Sequence, residues 1–118
     1  MSRVRHEGPV IFGAGLAGLS AALEAAQAGA RVLVLTPEPL LSGCSSAWAQ
    51  GGMAAALTAV DSAELHARDT EAAGAGLVDP GAAQALTEAG RETVEWLAAL
   101  GAPFDRYGDG SFVVSLEA

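Results

Sequence analysis

The chain contains no lysine: its six basic residues are all arginine, set against 14 acidic ones, for a formal charge of −8. A P-loop lysine and a Schiff-base lysine are therefore excluded within these 118 residues. No basic stripe exists to neutralise phosphates, which argues against nucleic acid as a partner. There is one cysteine, Cys44, so no internal disulfide can form, in keeping with a reducing, cytoplasmic setting. With only His6 and His66 beside it, no metal-ligand constellation is present. Aromatic residues make up only 5% of the chain although 51% is apolar. Much of that apolar content is Ala and Gly, which bury little area per residue. Stability must then come from close backbone packing, as in a chain that packs against more protein.

Long apolar runs are also missing, and no segment qualifies as a membrane span. Arg3 and Arg5 precede an apolar stretch, Val10 to Ala26, and Ala28-Gly29-Ala30 imitates a cleavage site. That is roughly a signal-peptide layout. Glycines at 8, 13, 15 and 18 make it a poor membrane-inserting helix, and a strand, a turn and a helix describe it better.

Pro9-Val10-Ile11-Phe12 reads as a buried parallel strand. Gly13-Ala14-Gly15-Leu16-Ala17-Gly18 follows, then a helix from Leu16 to Ala28 closed by Gly29. Arg31 to Leu35 gives a second buried strand, completing a βαβ unit with glycines at the first βα turn. Thr36 to Gly52 reads as a long functional loop. Asp61 can cap a helix with Glu64 at the capping-box position, and that helix runs to about Ala73 and stops at Gly74 or Gly76. Asp79-Pro80 starts one further helix, with Ala82, Leu86, Val94, Leu97 and Leu100 on an apolar face; Gly101 and Pro103 end it. Trp96 is expected in the core and His66 at the surface or between helices. A turn at Tyr107-Gly108-Asp109-Gly110 leads into a strand, Phe112 to Leu116. Two parallel strands alone are not a stable sheet, so the expectation is a truncated domain.

The glycine motif has a physical use. Gly13 permits the tight turn, Gly15 lets the backbone approach a pyrophosphate, and Gly18 lets helix and strand pack closely. The helix N-terminus presents free N–H groups and partial positive charge to phosphates. A dinucleotide site usually carries an acid at the end of the second strand. Here Thr36-Pro37 stands there, which weakens a generic NAD reading; a Thr hydroxyl can still bond a ribose.

A second motif, Ser45-Ser46-Ala47-Trp48-Ala49-Gln50-Gly51-Gly52, combines hydroxyls, small residues and adjacent glycines. Such a segment can lie against a flat ring, with Gly51 and Gly52 placing N–H groups near ring atoms and the serines near phosphate or ribityl oxygens. It also suits a Gly-rich loop leading into an Ala-rich helix, and chemistry alone leaves both open. Trp48 could shield a ring or fill core. Cys44 could touch a bound cofactor, but a small buried hydrophobe is the simpler reading.

Together these segments resemble the flavoprotein family of fumarate reductases, succinate dehydrogenases and L-aspartate oxidases. The shared core is Ala49-Gln50-Gly51-Gly52 after a Ser-rich stretch. The likeness continues through Asp61-Ser62, His66, Asp69-Thr70, Ala73 to Gly76, Trp96-Leu97 and Phe104-Asp105. It implies an α/β fold: a partial Rossmann-like FAD-binding domain, followed by two helices and a terminal strand, with residues 1–118 as its N-terminal part. Respiratory members carry a covalently linking His five residues before the glutamine. Ser45 stands there, which implies non-covalent FAD. The segment Ala73 to Asp79 looks like the L-aspartate oxidase branch.

That resemblance implies oxidation of L-aspartate to iminoaspartate, with oxygen (giving hydrogen peroxide) or fumarate as acceptor, feeding quinolinate and NAD synthesis. It implies quinolinate synthase as a partner enzyme. By position, Gly13, Ala14, Gly15, Leu16, Ala17 and Gly18 flank the pyrophosphate, with Thr36 and Pro37 nearby, and Ser45 to Gly52 wrap the flavin half. Pro37 replaces a usual Lys, and one extra residue lies between Pro37 and Ser45. Glu117 falls where the family has an acidic residue facing substrate; a solvent-exposed strand end is the other reading. A respiratory-type flavoprotein, a non-catalytic nucleotide-binding module and an NAD(P)-dependent dehydrogenase are the alternatives.

Overall fold

A computed structural model describes residues 5–40, 42–49 and 51–115. The chain divides into two compact units, Met1–Gly52 and Met53–Ala118.

The first unit is the expected βαβ arrangement, with trimmed ends. Strand β1 (Val10–Phe12) pairs in parallel with β2 (Leu33–Leu35), in the register Val10↔Leu33, Ile11↔Val34, Phe12↔Leu35. Helix α1 (Leu16–Gln27) connects them. The strands are not buried as expected: Phe12 is 80% exposed, and Val10 and Leu35 are also exposed. A single parallel pair has two open edges, and both faces of such a pair need cover to be buried. Helix α1 ends as its glycine foretells. Gly29 adopts φ 86°, its N–H bonds the Ala26 carbonyl, and the Ala30 N–H bonds the Ala25 carbonyl. That is a Schellman closure.

The second unit contains three helices where two were expected: α2 (Ala63–Ala73), α3 (Pro80–Glu88) and α4 (Gly90–Ala99). The single helix expected beyond Pro80 breaks at Ala89-Gly90. Glycine is the weakest helix former in that stretch, and the Arg91 guanidinium holds the start of α4 by donating to the Leu57 carbonyl at 2.7 Å. The break also removes the expected common apolar face. Ala82 is exposed, Leu86 is 75% exposed and Leu100 is exposed, while Ala83, Thr87 and Val94 are buried. Helix α3 turns Ala83 and Thr87 inward, α2 contributes buried Ala67, and α2 and α3 pack closely. The Thr87 hydroxyl donates to the Gln84 carbonyl, so burial leaves its proton satisfied. Trp96 and His66 are half-buried.

Capping explains both helix starts. Asp79 caps α3 as expected, its carboxylate accepting from the Ala82 N–H at 2.9 Å, with Pro80 at the first helical position. At α2 the cap is Ser62 rather than Asp61. Ser62 has the extended backbone of a cap and its hydroxyl accepts from the Leu65 N–H, whereas the Asp61 carboxylate accepts one residue too early, from the Ser62 N–H. Glu64 therefore sits at the second helical position and makes no capping box. Its carboxyl is held below the usual range, first by a backbone hydrogen bond and then by Ser62.

The C-terminus of α2 departs from those of α1 and α4. Gly29 and Gly101 take the left-handed position after their helices, at φ 86° and 95°. After α2 that position belongs to Ala75, at φ 48°, the one non-glycine residue with positive φ among those described. Gly74 precedes it because a Cβ there would collide with the Val78 side chain. An L-residue in this region costs about 1–2 kcal/mol, partly offset by glycine's backbone entropy. Ala75→Gly is therefore expected to stabilise the full-length protein by about 0.5–1 kcal/mol. Chemical denaturation of the two proteins measures it, and a destabilised variant would refute the strain.

The expected terminal strand, Phe112 to Leu116, is not formed among the described residues. A single antiparallel bridge, Arg106↔Phe112, stands in its place, and Leu116 lies outside the described residues. The expected turn is present: the Gly110 N–H bonds the Tyr107 carbonyl, and the Tyr107 N–H bonds the Ser111 carbonyl. Ser111 donates its hydroxyl and its N–H to Asp109, holding that carboxyl below its usual range. One bridge suffices because side chains clamp the turn. Phe104 meets Phe112 edge-on at 5.7 Å, and the Arg106 guanidinium lies 4.0 Å over the Phe112 ring.

Candidate functional site

The site begins where β1 ends. Gly13 takes φ 103°, which a side chain would resist, and its N–H bonds the Leu35 carbonyl at 2.8 Å. That bond brings the end of β2 beside the turn. Ala14 is 7% exposed, the most buried of the described residues in the first unit. Gly18 is packed against the turn: a Cβ on it would strike the Gly13 carbonyl oxygen. Only glycine lets the first turn of α1 approach the strand end this closely.

Gly15 is glycine for a different reason. Its backbone, φ −78° and ψ −179°, is extended and open to any residue. The constraint is space, since a Cβ would lie 3.3 Å from Ser46 Oγ and 3.8 Å from Cys44 Cβ. Gly15 is also the N-cap of α1, so no side chain caps this helix from within. The first N–H groups of any α-helix lack intrahelical partners. Here Ser46 supplies one from a distance of 30 residues, its hydroxyl accepting from the Leu16 N–H at 3.0 Å. A short 3-10 turn, Ser45–Ala47, delivers it. No acidic residue stands in the first turn of α1.

The two motifs thus meet. Ala14, Leu16, Leu19, Cys44, Ser46 and Ala47 line a pocket of about 170 Å³ at the start of α1. Its polar content is a hydroxyl and helix N–H donors, without a carboxylate to repel an anion. A phosphate group fits that donor set and the partial positive charge of the helix end.

The other expected residues are placed as follows. Thr36 follows β2, and its hydroxyl donates to the Glu38 carbonyl at 2.8 Å, within its own turn. Lone pairs on that oxygen stay open to a ribose donor. Pro37 is exposed in the same turn. Trp48 is 84% exposed, so it fills no core here. Ala49, Gly51 and Gly52 are exposed too, with Gly51 at φ 84°. Gln50 and Glu117 lie outside the described residues. The half-buried Cys44 lines the pocket, and so does Leu19, which the sequence reading did not single out. Leu19 could have been found as one helical turn beyond Leu16. No group of three His, Cys, Asp or Glu able to hold a metal exists among the described residues. No helix among them is long and apolar enough to cross a membrane.

Comparison with known proteins identifies the family. The family model described as "FAD binding domain" matches residues 9–117. The chain is 66% identical over 117 residues to the L-aspartate oxidase of Caulobacter vibrioides, covering 98% of this chain and 23% of that protein. It is 47% identical over 117 residues to the L-aspartate oxidase of Mesorhizobium japonicum, covering 98% of this chain and 22% of the relative. Among solved structures, Mycobacterium smegmatis Sdh1 in complex with UQ1 superposes with a TM-score of 0.83 at 35% identity, over 94% of this chain and 19% of that one. The chain therefore spans about a fifth of the length of the relatives it matches. The pocket between the glycine turn and the serine turn sits inside the matched region, and the chain belongs to the FAD-binding domain family, with FAD as its cofactor.

Proposed function

We propose that this chain supplies the N-terminal part of the FAD-binding domain of an L-aspartate oxidase, residues 1–118 forming one piece of that domain. The observation that carries the reading is the Leu16 N–H to Ser46 Oγ bond, which joins both cofactor motifs at an acid-free helix end. The relatives named L-aspartate oxidase support the substrate.

The residues act by binding and orientation. Gly13, Ala14 and Gly15 leave the start of α1 open, and Leu16, Ala17 and Gly18 direct N–H groups at the FAD pyrophosphate. Ser46 bonds either the helix or a phosphate oxygen, and Ser45 stands beside it. Thr36 and Pro37 border the adenosine ribose. Ala47 to Gly52, Trp48 and Gln50 included, lie along the flavin half, where small residues permit close approach. Glu117 faces the substrate. Held by these residues, FAD would supply hydride-accepting chemistry toward the substrate α-carbon, with oxygen or fumarate as the final electron acceptor. The setting is cytoplasmic, and quinolinate synthase consumes the product.

The test uses the full-length protein. L-aspartate should bleach its flavin absorbance without oxygen and yield hydrogen peroxide with it; a flavin that L-aspartate leaves oxidised would overturn the reading. The likeness to Sdh1 gives the second reading, a respiratory-type flavoprotein, for which succinate would bleach the flavin instead.

Non-covalent attachment has its own test. Ser45 cannot form the linkage that a histidine forms in respiratory members. Acid precipitation of the full-length protein should leave all flavin in the supernatant, read by absorbance. A yellow pellet would contradict the assignment.

A further inference from the structure

The second unit holds a cleft of its own. It encloses about 350 Å³, and its lining includes Arg91, Arg106, Tyr107, Leu57 and Phe112. Two of the chain's six basic residues line it, and among the described residues no carboxylate does, in a chain of charge −8. Chance placement would favour acids by more than two to one, so two arginines here form a locally basic lining among the described residues.

Both guanidinium groups are held in place. Arg91 donates from Nη2 to the Leu57 carbonyl at 2.7 Å. Arg106 donates from Nη1 to the Gly110 carbonyl at 2.7 Å, with its Cζ 4.0 Å from the Phe112 ring centroid. A guanidinium carries five N–H donors, so each arginine keeps several for a ligand. Fixing the heads beforehand removes much of the entropy that a free arginine loses on binding. Tyr107 adds a phenolic hydroxyl that can donate. Asp109, the nearest acid in the turn, accepts from the hydroxyl and N–H of Ser111 and is not part of the lining.

We propose that this cleft binds a small oxyanion, a carboxylate or a phosphate, between Arg91 and Arg106. Bidentate donation from a planar guanidinium matches either group. The cleft is open to water and both arginines are exposed, so binding is of millimolar strength. The proposal does not rest on the FAD assignment.

The experiment is site-resolved arginine labelling of the full-length holoprotein with phenylglyoxal, read by peptide mass spectrometry. Inorganic phosphate and malonate are the two probes. Either should reduce labelling of Arg91 and Arg106 several-fold at millimolar concentration while leaving Arg31 and Arg68 unchanged. The probe that protects at the lower concentration identifies the group as phosphate or carboxylate. Arg91→Gln, a change on an exposed helix face, should weaken protection of Arg106 about tenfold with flavin content unchanged. Arg106→Lys, which keeps the charge and loses the fork, should weaken protection of Arg91. Equal protection of all four arginines would show general screening and overturn the proposal. So would labelling that neither probe changes, or a cleft that phenylglyoxal cannot reach. Unchanged protection in Arg91→Gln would overturn it too.

Discussion

Gly15→Val is expected to leave the full-length protein folded and without FAD. The backbone at Gly15 is extended, a conformation that valine prefers, so the substitution strains no dihedral angle. The damage falls on space. The first carbon of the new side chain would stand 3.3 Å from Ser46 Oγ, and the two methyl groups would occupy the pocket before α1. Losing two or three charge-assisted bonds to the pyrophosphate lowers affinity by more than about a hundredfold. Gly18→Val makes the contrast. Its Cβ meets the Gly13 carbonyl, a backbone atom that cannot move without moving the strand end. That variant should lose structure together with flavin. Flavin content and circular dichroism of both purified variants provide the check. A Gly15→Val protein with normal flavin content would refute the phosphate role of the turn.

The second large effect concerns residues 1–118 expressed alone. They should show no cooperative thermal unfolding and should form no peroxide from L-aspartate and added FAD above the free-flavin background. The described residues bury only Ala14, Ala67, Ala83 and Val94 among apolar side chains, and none of the large ones is fully buried. Three alanines and a valine remove too little apolar area from water to balance the ordering of this many residues. Val10, Phe12 and Leu35 meanwhile leave the sheet apolar and open at its edges. Catalysis needs a positioned substrate as well, and a dicarboxylate calls for cationic donors facing the flavin. A sharp melt accompanied by peroxide would show a self-sufficient small enzyme.

What the sequence disclosed was local. The βαβ unit could be read because Val10 to Phe12, the glycine turn and Gly29 each signal within a few residues. Asp79-Pro80 marked the start of α3 for the same reason. Features that depend on distant partners could not be read. The break at Gly90 goes with a bond from Arg91 to Leu57, 34 residues away. The outward turn of Leu86 follows from which face of α3 meets α2. The tie between Ser46 and Leu16 spans 30 residues, although both motifs were legible separately. Ser62 displaced Asp61 as a cap because the choice depends on backbone angles that two neighbouring candidates share as possibilities and only one adopts. The terminal strand is not formed among the described residues, since an apolar run such as Phe112 to Val114 says nothing about whether a partner strand is at hand.

The alanine in left-handed conformation after α2 has a consequence for motion. The Gly74 and Ala75 amides bond the Thr70 and Ala72 carbonyls, so their exchange with solvent deuterium requires that turn to open. Strain at Ala75 is released on opening, which lowers the free energy of the opened state relative to the closed one. Deuterium should therefore enter at Gly74 and Ala75 before it enters at Gly29 or Gly101, where glycine closes the equivalent turn without strain. The link between α2 and α3 then opens more readily than the turn that closes α4, and offers a protease an extended substrate sooner than that turn does.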